Sequence, residues 1–330
     1  MKHWQPIEAE ARPIQTDARQ ADVRALGFVV LAVTIAAAAS ALRARRGDAR
    51  APSSTPPSNG LPRLPIAGLH GAASVLALSV FADSAIEHSR GRFKNLGMYA
   101  PVLVSGLVVA ANLRPIIGVA GGAPTRDRLH ATAVALGVAG AGFHVWNGLH
   151  RPGGLSWHNL FYAAPVGAPA AIALAGIIGA AADHVRLSAP GRPPTLAKLP
   201  AGRVIAGLTA GGLAGTVAEV GLLHFRGAFN SRYMWLPVVL PPLAAALLAR
   251  AAIRPSGAPL KATKAMLGVT AALGIVGAGF HARGISRMMG GWRNWSQNLV
   301  DGPPVPAPPS FSALALAGIA ALALLEPADG

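Results

Sequence analysis

No cysteine occurs among the 330 residues. Its absence excludes disulfides, thiolate-held zinc, iron–sulfur ligation by this subunit and c-type haem attachment. Charge is also scarce: Asp, Glu, Lys and Arg make up 13% of the chain, against 52% hydrophobic residues. A globular surface draws on roughly 25% charged residues, so this composition cannot clothe a soluble fold. Acid is scarcest of all, with 13 Asp and Glu against 29 Lys and Arg. In a soluble chain that surplus would point to nucleic acid. Here the cations sit in short segments between apolar runs, where they fix the orientation of spans. The expected partner is the lipid bilayer, and nucleic acid is not expected.

What is present is a series of apolar runs. Those at 25–42, 65–86, 130–149, 161–182 and 204–223 approach or exceed the roughly 18 residues of a spanning helix. Shorter or Pro-marked runs lie at 98–113, 234–249, 265–282 and 311–325. The expected fold is an all-α polytopic membrane protein of about nine helices. The run 25–42 is read as a retained first helix with its amino terminus outside. The region before it balances acid and base, and the cluster Arg43, Arg45, Arg46 and Arg50 follows it. A Pro-rich linker comes next. The chain thus divides into 1–64, a four-helix unit over 65–190 and a second over 191–330. Four spans per unit predict tandem parallel repeats, related by a pseudo-two-fold axis along the membrane normal.

Loops at 43–64, 114–129, 183–203 and 250–264 hold sixteen Lys and Arg, and the opposite loops hold nine. The richer side is the cytoplasmic candidate, which predicts a bacterial inner-membrane protein whose other face is periplasmic. Every Trp and Tyr falls toward that other face, where they would form a vestibule or docking surface. Glycines at Gly207, Gly211 and Gly215 have the spacing that lets helices approach closely.

One pattern occurs twice, 136 residues apart. Asp83, His88, Arg90, Gly91, Phe93, Met98 and Pro101 recur as Glu219, His224, Arg226, Gly227, Phe229, Met234 and Pro237. A second set, Gly137, Gly140, Gly142, Phe143 and His144, recurs as Gly274, Gly277, Gly279, Phe280 and His281. Asp83 and Glu219 lie in otherwise apolar spans, where a carboxylate costs roughly 2.5–3.5 kcal/mol near the bilayer centre. They are the expected proton acceptors. The pairs His88 with His144 and His224 with His281 suit bis-imidazole ligation of a b-type haem, or another metal with an acid as third ligand. Arg90 and Arg226 could hold an anionic group. Loops bearing Trp157 and Trp292 could line a cleft for a planar ring such as a quinone.

These features predict a membrane electron-transfer subunit that binds quinol or haem at the periplasmic face and works with a periplasmic redox partner. The plan of two four-helix bundles with an outward-facing site is similar, in architecture alone, to that of integral quinol-oxidising subunits of the polysulfide-reductase type. Competing expectations are a small-solute transporter or channel, a membrane-embedded metal-dependent enzyme, and an anchoring protein that docks a partner.

Overall fold

The computed structural model describes residues 63–117, 122–188 and 193–325; the run 25–42 and most of the Pro-rich linker lie outside them. Of the described residues, 80% are helical. In lipid only a helix satisfies the backbone within one segment, and the apolar runs accordingly become helices. The first half contains α1 (Arg63–Arg90), α2 (Tyr99–Ile116), α3 (Ala123–Leu149), a short α4 (Trp157–Tyr162) and α5 (Gly167–Arg186). The second contains α6 (Ala201–Arg226), α7 (Leu236–Ile253), α8 (Leu260–Ser286), a short α9 (Trp295–Asp301) and α10 (Pro309–Ala323). Between the halves, β1 (Thr195–Leu196) and β2 (Leu199–Pro200) form a two-residue antiparallel pair.

Seven of the described helices are long and apolar enough to cross a membrane. The molecule is therefore a multi-pass helical membrane protein. The run at 311–325 forms α10, of 15 residues, which reaches only about 22 Å at 1.5 Å per residue. Two boundaries differ from the sequence expectation for physical reasons. The third span starts at Ala123 rather than 130, because Arg126 and His130 are buried inside the helix against Asp183. The run expected at 161–182 breaks into α4 and α5, with Pro165 in the connection.

In the first half α1 packs along α2 and α5, and α5 along α3; in the second, α6 packs along α7 and α10, and α10 along α8. Alanine supplies much of the buried core, which suits helices that associate by close packing rather than by escape from water. Glycine sets the approach at matching places. A Cβ on Gly137 would stand 2.5 Å from the Pro169 carbonyl oxygen, and one on Gly274 would stand 2.8 Å from that of Pro308. The Gly207, Gly211 and Gly215 spacing works differently. An added Cβ at Gly211 or Gly215 meets nothing within 4 Å, so among the described residues no helix packs on that face of α6 at those positions. Across the halves, α1 lies closely along α10, whereas α5 and α6 touch only over a short stretch.

Candidate functional site

Each half reverses from its first helix into its second by the same route. Arg92 and Phe93 take φ of 54° and 46°, and Ala228 and Phe229 take the same two values. The His88 Nδ1–H donates to the Met98 carbonyl at 2.6 Å, and that of His224 donates to the Met234 carbonyl at 2.8 Å. Phe93 stacks on Tyr99 with centroids 4.4 Å apart, and Phe229 on Trp235 at 4.1 Å. A Cβ added to Gly91 or Gly227 would stand 3.2 Å from the methyl of Met98 or Met234. The His, Gly, Phe and Met of the recurring pattern therefore form one contact set that closes a helix–turn–helix. These residues thus have an architectural role in that turn.

His144 and His281 end up alike as well. Their Nδ1–H groups donate to the carbonyls of Pro165 at 2.6 Å and Pro304 at 2.7 Å. A carbonyl only accepts, so all four imidazoles carry a proton on Nδ1, and in the neutral ring Nε2 keeps a free lone pair. His88 lies within electrostatic reach of His144, and His281 within reach of His224. A backbone bond at one ring nitrogen is how ligating histidines are commonly oriented. Among the described residues, however, no three His, Asp or Glu side chains are grouped to hold a metal ion. The sets Asp83/His88/His144 and Glu219/His224/His281 do not assemble as three-ligand sites.

The two acids sit differently. Glu219 lies against the start of α5 and accepts a hydrogen bond from the Gly167 N–H, so closely that a side chain on Gly167 would overlap its carboxylate. Asp83 is within electrostatic reach of it. Among the described residues neither acid forms a direct ion pair with Arg90 or Arg226. Arg90 instead meets Glu87 at 3.4 Å, with both side chains substantially exposed, a pair of little energetic weight. Arg226 lies over the Phe161 ring at 5.5 Å. Its terminal nitrogen is 3.4 Å from the Leu160 carbonyl and 3.5 Å from that of Ala163, and its Nε is buried without a protein partner.

A groove of about 800 Å³ lies between the end of α3, the loop carrying α4, and α6. His144, Trp157, Glu219 and Arg226 all line it, among mainly apolar neighbours such as Leu149, Leu160, Leu222 and Phe225. Asp83, His88, Arg90, His224, His281 and Trp292 are not among its lining residues. Trp292 is half exposed in a turn at Gly291–Asn294. The seam between α1 and α10 is closed instead, with the Ser79 hydroxyl donating to the Pro306 carbonyl. One seam is sealed and the other is a groove, so the halves are not equivalent at this face.

A second set of polar residues is not marked by the repeat, because none of its members recurs at the matching places of the second half. At the opposite end of the first half, Asp183 receives Nε of Arg126 at 2.9 Å and its terminal nitrogen at 2.8 Å. Arg186 adds a contact at 3.3 Å. His70 and His130 approach the same carboxylate at 4.0 and 3.8 Å, and Asn112 bridges the two imidazoles at 2.9 and 3.1 Å. His70, Asn112, Arg126, His130 and Asp183 are all buried. A signal was available. At the matching places the second half has Ala206, Leu248, Thr263, Leu267, Leu322 and Leu325, where the first has His70, Asn112, Arg126, His130, Asp183 and Arg186. The glycines follow the same pairing: a Cβ on Gly179 would meet His130 and Asn112, and one on Gly318 would meet Leu267 and Leu248.

No known protein family, curated protein or solved structure matches this chain.

Proposed function

We propose that this chain is an integral-membrane electron-transfer subunit that binds quinol in the groove between α3, α4 and α6. The observation that carries this reading is a single carboxylate, Glu219, held against the Gly167 backbone in a mainly apolar, aromatic-edged groove. A lipid-soluble ring needs apolar walls and a few convergent polar groups. The Arg226 Nε–H is a spare donor, His144 Nε2 a spare acceptor, and Glu219 a proton acceptor. Oxidation of a quinol releases two electrons and two protons. The protons leave through Glu219 and His144, and the electrons pass to a redox partner docked on the aromatic face. In the same reading the two halves are parallel copies about an axis along the membrane normal, and 25–42 is a ninth span. The protein then lies in a bacterial inner membrane with its amino terminus and the groove on the periplasmic side.

The test is titration of the purified protein in lipid nanodiscs with a short-chain quinone, read by fluorescence quenching of Trp157. Saturable quenching that disappears in Trp157→Phe and weakens in Arg226→Ala supports the reading. Quenching that never saturates, in a preparation from native membrane that carries no quinone, overturns it.

The free Nε2 atoms of the paired histidines favour a second reading, in which His88 with His144, or His224 with His281, hold a b-type haem. Bound haem would supply a one-electron carrier beside the groove. A haem absorption band lost in the His88→Ala, His224→Ala double variant supports this; a colourless protein from native membrane rejects it.

A further inference from the structure

The buried network of the first half has hydrogen-bonding capacity left over, and its geometry says of what kind. The Asn112 side-chain nitrogen donates to the Val108 carbonyl at 2.9 Å, which fixes the orientation of the amide. Its oxygen therefore accepts from His70 Nδ1–H, and its nitrogen donates to His130 Nε2. Both neutral imidazoles are then Nδ1–H tautomers. What remains is a lone pair on His70 Nε2 and an N–H on His130 Nδ1. Both atoms are buried without a protein hydrogen-bond partner, and both face Asp183 across gaps too long for a direct bond.

We propose that His70, Asp183 and His130 bind one water molecule between them, and that this is a proton-exchange site specific to the first half. A water matches the unsatisfied groups: it donates one hydrogen to His70 Nε2 and the other to Asp183, and accepts from His130 Nδ1–H. Three bonds is the usual complement of a buried water. Two bonds of about 2.8 Å meeting near a right angle span about 4 Å, the separation seen here. A proton arriving from solvent lands on His70 Nε2, the water turns its lone pair toward the new N–H, and loss of the proton reverses both changes. Arg186, whose side chain is 30% exposed, marks the route to the aqueous side.

The groups that face the site come from every surrounding helix. They are His70 from α1, Arg126 and His130 from α3, and Asp183 and Arg186 from α5, with the uncharged Asn112 from α2. Helix α10, packed against α1, has no titratable side chain. Arg126 and Asp183 offset each other, so one added proton is the charge change the site must bear. The scaffold does not require these groups. The second half packs the same helices around Leu248, Leu267 and Leu322 in their place. The site lies roughly 20 Å along α1 from Asp83, at 1.5 Å per residue, and stands independently of the quinol reading.

The experiment is nitrogen NMR of imidazole-labelled full-length protein in nanodiscs. The expected result is Nδ1–H tautomers at His70 and His130, a cross-peak from each ring to a bound water, and exchange of both ring protons into heavy water while the backbone amides of α1 and α5 around them stay protected. Asn112→Leu, which removes the positioning residue, should mix the tautomers and erase the water cross-peak. An Nε2–H tautomer at either ring, absence of the water signal, or ring protons as protected as the amides overturns the proposal. So does failure to fold when the six positions are changed together to their second-half residues, since the network would then be scaffold.

Discussion

Replacing Asp183 alone with leucine should destabilise the protein far more than replacing the whole network. Asp183 is 1% exposed and Arg126 5%, and they meet through bonds of 2.8–3.1 Å. Removing the carboxylate leaves the Arg126 charge buried without its counter-ion, and breaking a buried pair from one side costs about 3–5 kcal/mol. Partners available within lipid to the unfolded chain reduce such costs, so the lower end of that range is expected. The six-fold change His70→Ala, Asn112→Leu, Arg126→Thr, His130→Leu, Asp183→Leu and Arg186→Leu installs the second half's own residues. It removes every charge that would need solvating, and apolar replacement of a buried ion network is commonly neutral or stabilising by about 1–4 kcal/mol. Unfolding in mixed micelles with increasing SDS, followed by circular dichroism, measures both variants. Equal stability of Asp183→Leu and the six-fold variant would show that Arg126 is not left as a buried unpaired charge.

Three further outcomes follow from the geometry. Gly137→Ala and Gly274→Ala should each lose about 1–3 kcal/mol by the same unfolding assay, because the added methyl meets backbone atoms that cannot swing away; Gly142→Ala and Gly279→Ala, where a Cβ meets nothing within 4 Å, are the neutral controls. At the matched turns, Arg92→Gly and Ala228→Gly should be neutral or stabilise by up to about 1 kcal/mol, since a left-handed L-residue costs roughly 1–2 kcal/mol and the added freedom of the unfolded chain offsets about 0.4–1 of it; a clear loss of stability at either position would disprove the turn conformation. On the proposed quinol reading, Glu219→Gln keeps the shape of the groove but removes the proposed proton acceptor, so quinol oxidation measured in native membrane should slow by about 10²–10⁴-fold while Trp157 quenching by quinone persists; an unchanged rate removes Glu219 from that role.

The recurring motif shows how legibility can mislead. Its repetition points to chemistry because His and Arg beside apolar runs are uncommon by chance. The contacts give His88, Gly91, Phe93 and Met98 a different first duty, which is to close a turn with two residues in the left-handed region. Spacing along a chain cannot distinguish an imidazole that faces a ligand from one that faces a carbonyl ten residues on. The groove is a harder case. The sequence marks His144, Trp157, Glu219 and Arg226, but no linear pattern says that α5 and α6 leave a gap where α1 and α10 close one.

Composition and run length by themselves determined that this is a helical membrane protein, because 13% charged residues cannot clothe a soluble fold and continuous apolar runs of spanning-helix length satisfy their backbone within each run only as helices. They also placed most of the helices, because apolar length translates directly into span. Only the tertiary structure decided which polar residues meet. His70, Asn112, Arg126, His130 and Asp183 come from four helices and are drawn together by packing. A buried charge is stable only beside its partner, and that partner is chosen by distances in space that sequence separation does not encode.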